Sequence, residues 1–339
     1  MRSMASSFWV ALVFLFAIAA ATAARAEDCK PLRLLNSVQL ESRNNGTRYL
    51  VPVTIDGTPE TLILDTGGVT TSLSPRAVKS LGLKEEYSRI KLYDMYGNDS
   101  NSQVEVKTFD LGHARGKNIK LQVSPMHNLE SDVGADGLLS TDLFLQYDID
   151  LDFAAARLNY FSQDHCPGRV AYWPERPLSA VPFTLKDGHI EIPITLDSRK
   201  LTANIDTGAD NSVISIEVAI NEFGLSPGSA DMPLVDTSKK DPRLKEYSHN
   251  FSSLSFNGLT VTNPHFSILT DRMGANQAKS SIRGTLSDPY TYHLNQVVIG
   301  MDVLKHLHLY IAFGEKMLYI SPAGTGQSAL FQSVATPAK

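Results

Sequence analysis

Residues 49–67 and 190–208 are two versions of one segment. Tyr49-Leu-Val-Pro-Val-Thr-Ile-Asp56 resembles Ile190-Glu-Ile-Pro-Ile-Thr-Leu-Asp197, and Pro52, Asp56 and Asp65 recur as Pro193, Asp197 and Asp206, each 141 residues later without a gap. Leu62-Ile-Leu-Asp-Thr-Gly67 therefore falls in register with Ala203-Asn-Ile-Asp-Thr-Gly208, and Ser74 with Ser215. A second register follows: Leu138-Leu-Ser-Thr-Asp-Leu-Phe144 aligns with Val298-Ile-Gly-Met-Asp-Val-Leu304 at an offset of 160. Two unrelated segments repeating in the same order imply two copies of one folding unit, about residues 30–163 and 177–323.

Each unit reads mostly as β-structure. Leu50-Val-Pro-Val-Thr-Ile alternates with period two and ends at the turn signal Asp56-Gly57. Val104–Phe109, Ile119–Val123 and Tyr147–Phe153 alternate likewise, and Thr260–Leu269 reads as a strand of the second unit. Short helices are expected at Ser74–Leu81, Thr141–Leu145, Ile216–Phe223 and Met301–His306. Cys166, Pro167, Gly168 and Pro174 mark residues 164–176 as a linker. The expected organisation is an N-terminal lobe at 27–163, the linker, a C-terminal lobe at 177–323 and a tail at 324–339.

The N-terminus reads as an export signal over residues 1–26. Arg2 precedes an uncharged apolar run from Phe8 to Ala24, and Ala24-Arg25-Ala26 offers a small-x-small cleavage site. An uncleaved anchor is the other reading of that run. The expectation is a secreted or periplasmic protein without stable membrane insertion after cleavage. The net charge of −5 gives no basic face for a nucleic-acid partner. Export makes a Cys29–Cys166 disulfide plausible, with two free thiols as the alternative.

Each Asp-Thr-Gly follows an apolar strand, which delivers its aspartate rigidly to a turn. Alone, such a tripeptide is a common turn. In matching frames, the two would bring Asp65 and Asp206 together at the seam between the units. Two carboxylates about 3 Å apart cannot both ionise, so they share one proton. The charged member can take a proton from water, and the protonated member can donate one to a carbonyl. Thr66 and Thr207 would bond across the two loops, and Gly67 and Gly208 would allow close approach.

These motifs resemble those of the retropepsin-like/pepsin-like aspartic protease superfamily. The resemblance rests on Leu64-Asp-Thr-Gly-Gly68, Ile205-Asp-Thr-Gly-Ala-Asp210, Gly137-Leu-Leu139 and Val298-Ile-Gly-Met-Asp302. It implies an all-β fold of two pseudo-symmetric β-barrel lobes around a cleft. It also implies an aspartic endopeptidase acting on polypeptide substrate at acidic pH, without cofactor or metal, as a monomer. Asp210 would contact substrate backbone, whereas its first-unit counterpart is Val69. Leu92–Asp99 matches the hairpin that covers substrate in this family, with Tyr93, Tyr96 and Gly97 placed to touch it; Asp236–Arg243 is the polar counterpart. Ser140 stands where the second unit has Gly300, and Gly68 follows the first motif where serine or alanine is commoner. The short stretch before the first strand argues against a pepsin-type prosegment and leans toward a bacterial exported relative. His306 and His308 read as ordinary surface histidines, and Gly112–Lys117 is too short for a phosphate loop. The competing reading is a peptide- or envelope-ligand-binding protein that uses the same shell without hydrolysis.

Overall fold

A computed structural model describes residues 29–93, 98–126, 129, 133–173, 177–237, 245–270, 297–324 and 331–333. The expected signal segment, Tyr96 and Gly97 lie outside these residues. The fold is all-β and two-lobed, with few short helices. An eight-stranded sheet belongs to the first half of the chain and an eleven-stranded sheet to the second. No helix among the described residues is long and apolar enough to cross a membrane.

The duplicated segment folds the same way twice. Arg48–Ile55 pairs antiparallel with Thr58–Asp65, and His189–Leu196 with Arg199–Ile205. Pro52 and Pro193 take equivalent places, opposite Thr61 and Thr202, with their rings exposed. Asp56 turns the first hairpin at φ 50° with Gly57 at 85°; Asp197 turns the second at φ 40° with Ser198 at 70°. Both residues of such a tight turn need positive φ. Each aspartate also ties its turn to the neighbouring strand: Asp56 Oδ1 accepts from Thr108 N at 2.7 Å, and Asp197 Oδ1 from Ser253 N at 2.7 Å.

A third sheet joins the halves. Its six strands run Leu34–Gln39, Arg157–Phe161, Asp148–Asp152, Leu307–Ala312, Met317–Pro322 and Ser179–Pro182. Three come from each half, and the seam is the antiparallel pair Ile149↔Ile311 through Asp152↔His308. Buried Ile149, Leu151, Leu309 and Ile311 belong to one apolar core that runs through both lobes. Removal of that much apolar area from water is what holds the lobes as one body.

Three sequence expectations are corrected. Thr260–Leu269 is two strands, Leu259–Thr262 and His265–Leu269, because Asn263 adopts φ 51° before Pro264. His308 is a core residue at 4% exposure; its Nε2 lies 2.6 Å from Asp150 Oδ1, and Trp173 stacks on its ring at 4.3 Å. Asp236 and Thr237 belong to the strand Leu234–Thr237 rather than to a loop, and the rest of the expected Asp236–Arg243 segment lies outside the described residues. The linker region is packed as well: Val170 and Trp173 are buried against Phe161, Tyr310 and Tyr319. Cys29 and Cys166 form a disulfide. Beside it, Lys30 N donates to Asp164 O at 2.9 Å and Cys166 N to Lys30 O at 3.0 Å.

Candidate active site

Two strand ends meet at the seam. Asp65 closes the strand Thr58–Asp65, which runs parallel to Gly137–Ser140 and sets Asp65 beside Ser140. Asp206 follows Arg199–Ile205, which runs parallel to Val297–Ile299, and its N–H donates to Ile299 O at 3.0 Å. The repeat thus places each aspartate between two parallel strands, at the same point of each lobe.

The two threonines lock the loops together. Thr66 Oγ1 donates to Ile205 O at 2.8 Å and accepts from Thr207 N at 3.1 Å. Thr207 Oγ1 donates to Leu64 O at 2.8 Å and accepts from Thr66 N at 3.0 Å. Both are buried, so every one of these bonds is shielded from water and costly to break. Each carboxylate is held by its own loop. Asp65 Oδ1 accepts from Gly67 N at 3.1 Å and Gly68 N at 2.8 Å. Asp206 Oδ1 accepts from Gly208 N at 2.7 Å and Ala209 N at 3.1 Å.

The glycines of the motifs leave room for the partner's carboxyl. A Cβ on Gly67 would fall on the Asp206 carboxyl group. A Cβ on Gly208 would lie 2.6 Å from Asp65 Cγ and 3.1 Å from Asp206 Oδ1. Both carboxyls therefore border one small space. Burial pushes both above the ordinary carboxylate range, and the charge of Asp206 pushes Asp65 further. Backbone N–H donors and Arg48 pull the other way. Such a pair retains a proton where free carboxyls would have lost theirs.

The sequence model of the aspartyl protease family matches residues 51–143 and 192–303, one stretch around each Asp-Thr-Gly motif. The chain belongs to the aspartyl protease family. It is similar to a solved retropepsin-like aspartic protease from Rickettsia conorii, at 18% identity over 39% of this chain and 93% of that chain, with a TM-score of 0.30. No curated protein matches the chain.

Other residues of this family member's site are less evident from sequence. Arg48 leaves the first lobe to donate to Gly208 O and, at 3.0 Å, to Asp210 Oδ2. Asp210, expected to meet substrate backbone, is thus engaged by Arg48 through one oxygen, and its Oδ1 is buried without a hydrogen-bond partner among the described residues. His189, also buried, hydrogen-bonds the Gly67 backbone; burial pulls its imidazole below the usual range against the opposing charges of Asp206, Asp187 and Glu191. Tyr93 pairs with Asp99 near the end of its hairpin, 41% exposed, with Lys91 Nζ 5.1 Å above its ring.

Behind each motif, the same hydroxyl–carboxylate contact recurs. Thr71 Oγ1 donates to Asp142 Oδ1 at 2.7 Å and accepts from Ser140 N at 3.1 Å. Ser212 Oγ donates to Asp302 Oδ1 at 2.7 Å and accepts from Gly300 N at 3.1 Å. Ser74 and Ser215 cap the helices Pro75–Ser80 and Ile216–Phe223, accepting from Ala77 N at 3.1 Å and Val218 N at 3.3 Å. The sequence signal for all of these was the offset of 141 or 160, followed position by position.

Proposed function

We propose that this chain is an aspartic endopeptidase that hydrolyses peptide bonds with a water activated between Asp65 and Asp206. The observation that carries the reading is the reciprocal Thr66–Thr207 lock, which holds two carboxyls of opposite lobes, Asp65 buried and Asp206 half-buried, against one space.

The chemistry needs one proton on the pair. The ionised member takes a proton from water as its oxygen attacks the peptide carbonyl carbon. The protonated member gives its proton to the carbonyl oxygen, and a gem-diol forms with no covalent bond to the protein. As the C–N bond breaks, a proton passes from the pair to the leaving nitrogen and a diol proton returns. The pair ends with one proton, as it began. Asp65 and Asp206 are the catalytic residues; Thr66, Thr207, Gly67 and Gly208 hold them. The substrate is an extended polypeptide, with Asp210 and the Tyr93 hairpin at its rims.

Export to the periplasm or cell exterior fits the disulfide, since such bonds persist in oxidising compartments. The acidic working range is carried over from the resemblance to the aspartic protease superfamily, and burial of Asp65 keeps a proton on the pair throughout that range.

The test is cleavage of a denatured protein between about pH 3 and 6, where free carboxyls titrate. Wild type should cut. Asp65→Asn and Asp206→Asn should lose activity by a factor on the order of 10³ or more while retaining the same circular dichroism. A pepstatin-type inhibitor should abolish cutting. Undiminished cleavage by Asp65→Asn, or a folded wild type that cuts nothing, would overturn the reading in favour of a binding protein.

A further inference from the structure

The two halves of the site exchange one side chain. In the second half, Ala209 follows the motif and Gly300 follows the neighbouring strand; in the first half, these places hold Gly68 and Ser140. A Cβ on Gly68 would fall on Ser140 Oγ, 2.7 Å from Asp65 Oδ2 and 3.1 Å from Asp65 Cγ. The missing side chain of Gly68 is thus the space into which the Ser140 hydroxyl points. The second half has no such room: a Cβ on Gly300 would lie 2.5 Å from the Asn211 carbonyl carbon and 2.9 Å from Ser212 N.

The scaffold does not use this hydroxyl. Ser140 N is bonded to Thr71 Oγ1 as Gly300 N is bonded to Ser212 Oγ, both at 3.1 Å. Ser140 is fully buried, yet its Oγ has no hydrogen-bond partner among the described residues. Asp65 Oδ1 already takes two backbone N–H bonds, which leaves Oδ2 as the oxygen that borders the same space as the hydroxyl.

We propose that Ser140 is a positioning residue whose hydroxyl donates to Asp65 Oδ2 when Asp65 is ionised, giving one member of the pair a donor that Ala209 and Gly300 cannot give the other. This rests on the reading of Asp65 and Asp206 as the working pair. A donor to the charged form favours ionisation. The hydroxyl therefore makes Asp65 the stronger acid than its loop alone would. The charged groups around it are Asp206 and Arg48, with His189 facing Asp206 from the second lobe and Asp187 and Glu191 behind it. Asp142 is held by Thr70 and Thr71. None of these is altered by changing Ser140.

The deciding measurement does not need turnover. In protein labelled with ¹³C at the aspartate carboxyls, the Asp65 resonance is assigned by its loss in Asp65→Asn and titrated with pH. Ser140→Ala should raise the apparent Asp65 value by about 0.5–1 unit, and Ser140→Thr should restore it. In an active enzyme, one limb of the kcat/KM profile should move up by the same amount with KM unchanged. The exchange variant supplies an independent check. Gly68→Ser alone should lose at least tenfold in kcat, and Gly68→Ser with Ser140→Gly should recover most of it, because the hydroxyl then reaches Asp65 from the other side. An Asp65 titration unmoved or lowered in Ser140→Ala, or a double variant no better than Gly68→Ser, would overturn the proposal. A wild type that cuts nothing would instead overturn the catalytic reading, with the titration still deciding the hydrogen bond.

Discussion

Arg48 and His189 occupy the same place in the two repeats, 141 residues apart, and each reaches the Asp-Thr-Gly loop of the other lobe: Arg48 at Gly208, His189 at Gly67. The two lobes therefore clasp each other with a basic side chain at both ends of the seam, but only one of the two is a permanent cation.

Arg48 should tune the pair. Its charge favours the ionised form of both aspartates, so its loss should raise both apparent values. Arg48→Met is expected to move both limbs of the kcat/KM profile to higher pH by a few tenths of a unit to about one unit. It should also cost about 1 kcal/mol in urea unfolding, a modest figure because Asp210 is 42% exposed at its side chain and water screens the pair. An unshifted profile would show that Arg48 serves only as a tie between lobes.

The buried pair should make the fold less stable as pH rises. Asp65 is pushed up to about 8, whereas an unfolded aspartate releases its proton near pH 4. Across about pH 4–8 the folded state thus holds a proton that the unfolded state has lost, and stability falls with rising pH. Asp65→Asn removes that dependence. Its melting temperature should exceed that of wild type by a few degrees at pH 7, with the gap closing toward pH 4. A variant that melts below wild type at pH 7 would contradict a strained, proton-holding pair.

The hairpin turns offer a comparison within one molecule. Gly57 and Ser198 are equivalent, at φ 85° and 70°, and only glycine takes that conformation without a steric cost. Ser198→Gly should stabilise the chain by about 0.5–1 kcal/mol, and Gly57→Ser should destabilise it by a similar amount. Thermal melts of both variants, with activity unchanged, would check the pair of signs.

What could be read in advance followed the repeat. The paired strands, the two motifs, the two serine caps and the apolar segments all lie in stretches where the copies resemble each other, so period and offset exposed them. What escaped depended on contacts between residues far apart in the chain. Arg48 and His189 share a register but not a residue type. Gly68 and Ser140 were visible as two separate departures, and only the parallel pairing of Asp65 with Ser140 shows that one fills the space of the other. His308 reads as a surface histidine because nothing local signals its partner, Asp150, which lies 158 residues away. It is buried because its strand pairs with Asp148–Asp152 of the other lobe, against Asp150.

The disulfide adds a covalent tie to these noncovalent constraints. Cys29 and Cys166 are 137 residues apart, and the bond pins the segment before the first strand to the region between the halves. Lys30 adds a 2.7 Å ion pair to Asp164, but both side chains are well exposed and contribute little. The chain-entropy account assigns a loop of this length about 4–5 kcal/mol, chiefly by restricting the unfolded chain. Cys29→Ser with Cys166→Ser should therefore unfold at lower urea, and the loss should appear mainly as easier unfolding of the whole molecule. The catalytic loops are held by their own threonine lock, so kcat of the folded double variant should stay close to wild type. A stability unchanged by reduction or by the double substitution would mean that the six-stranded sheet already fixes the segment around Cys29 without the bond.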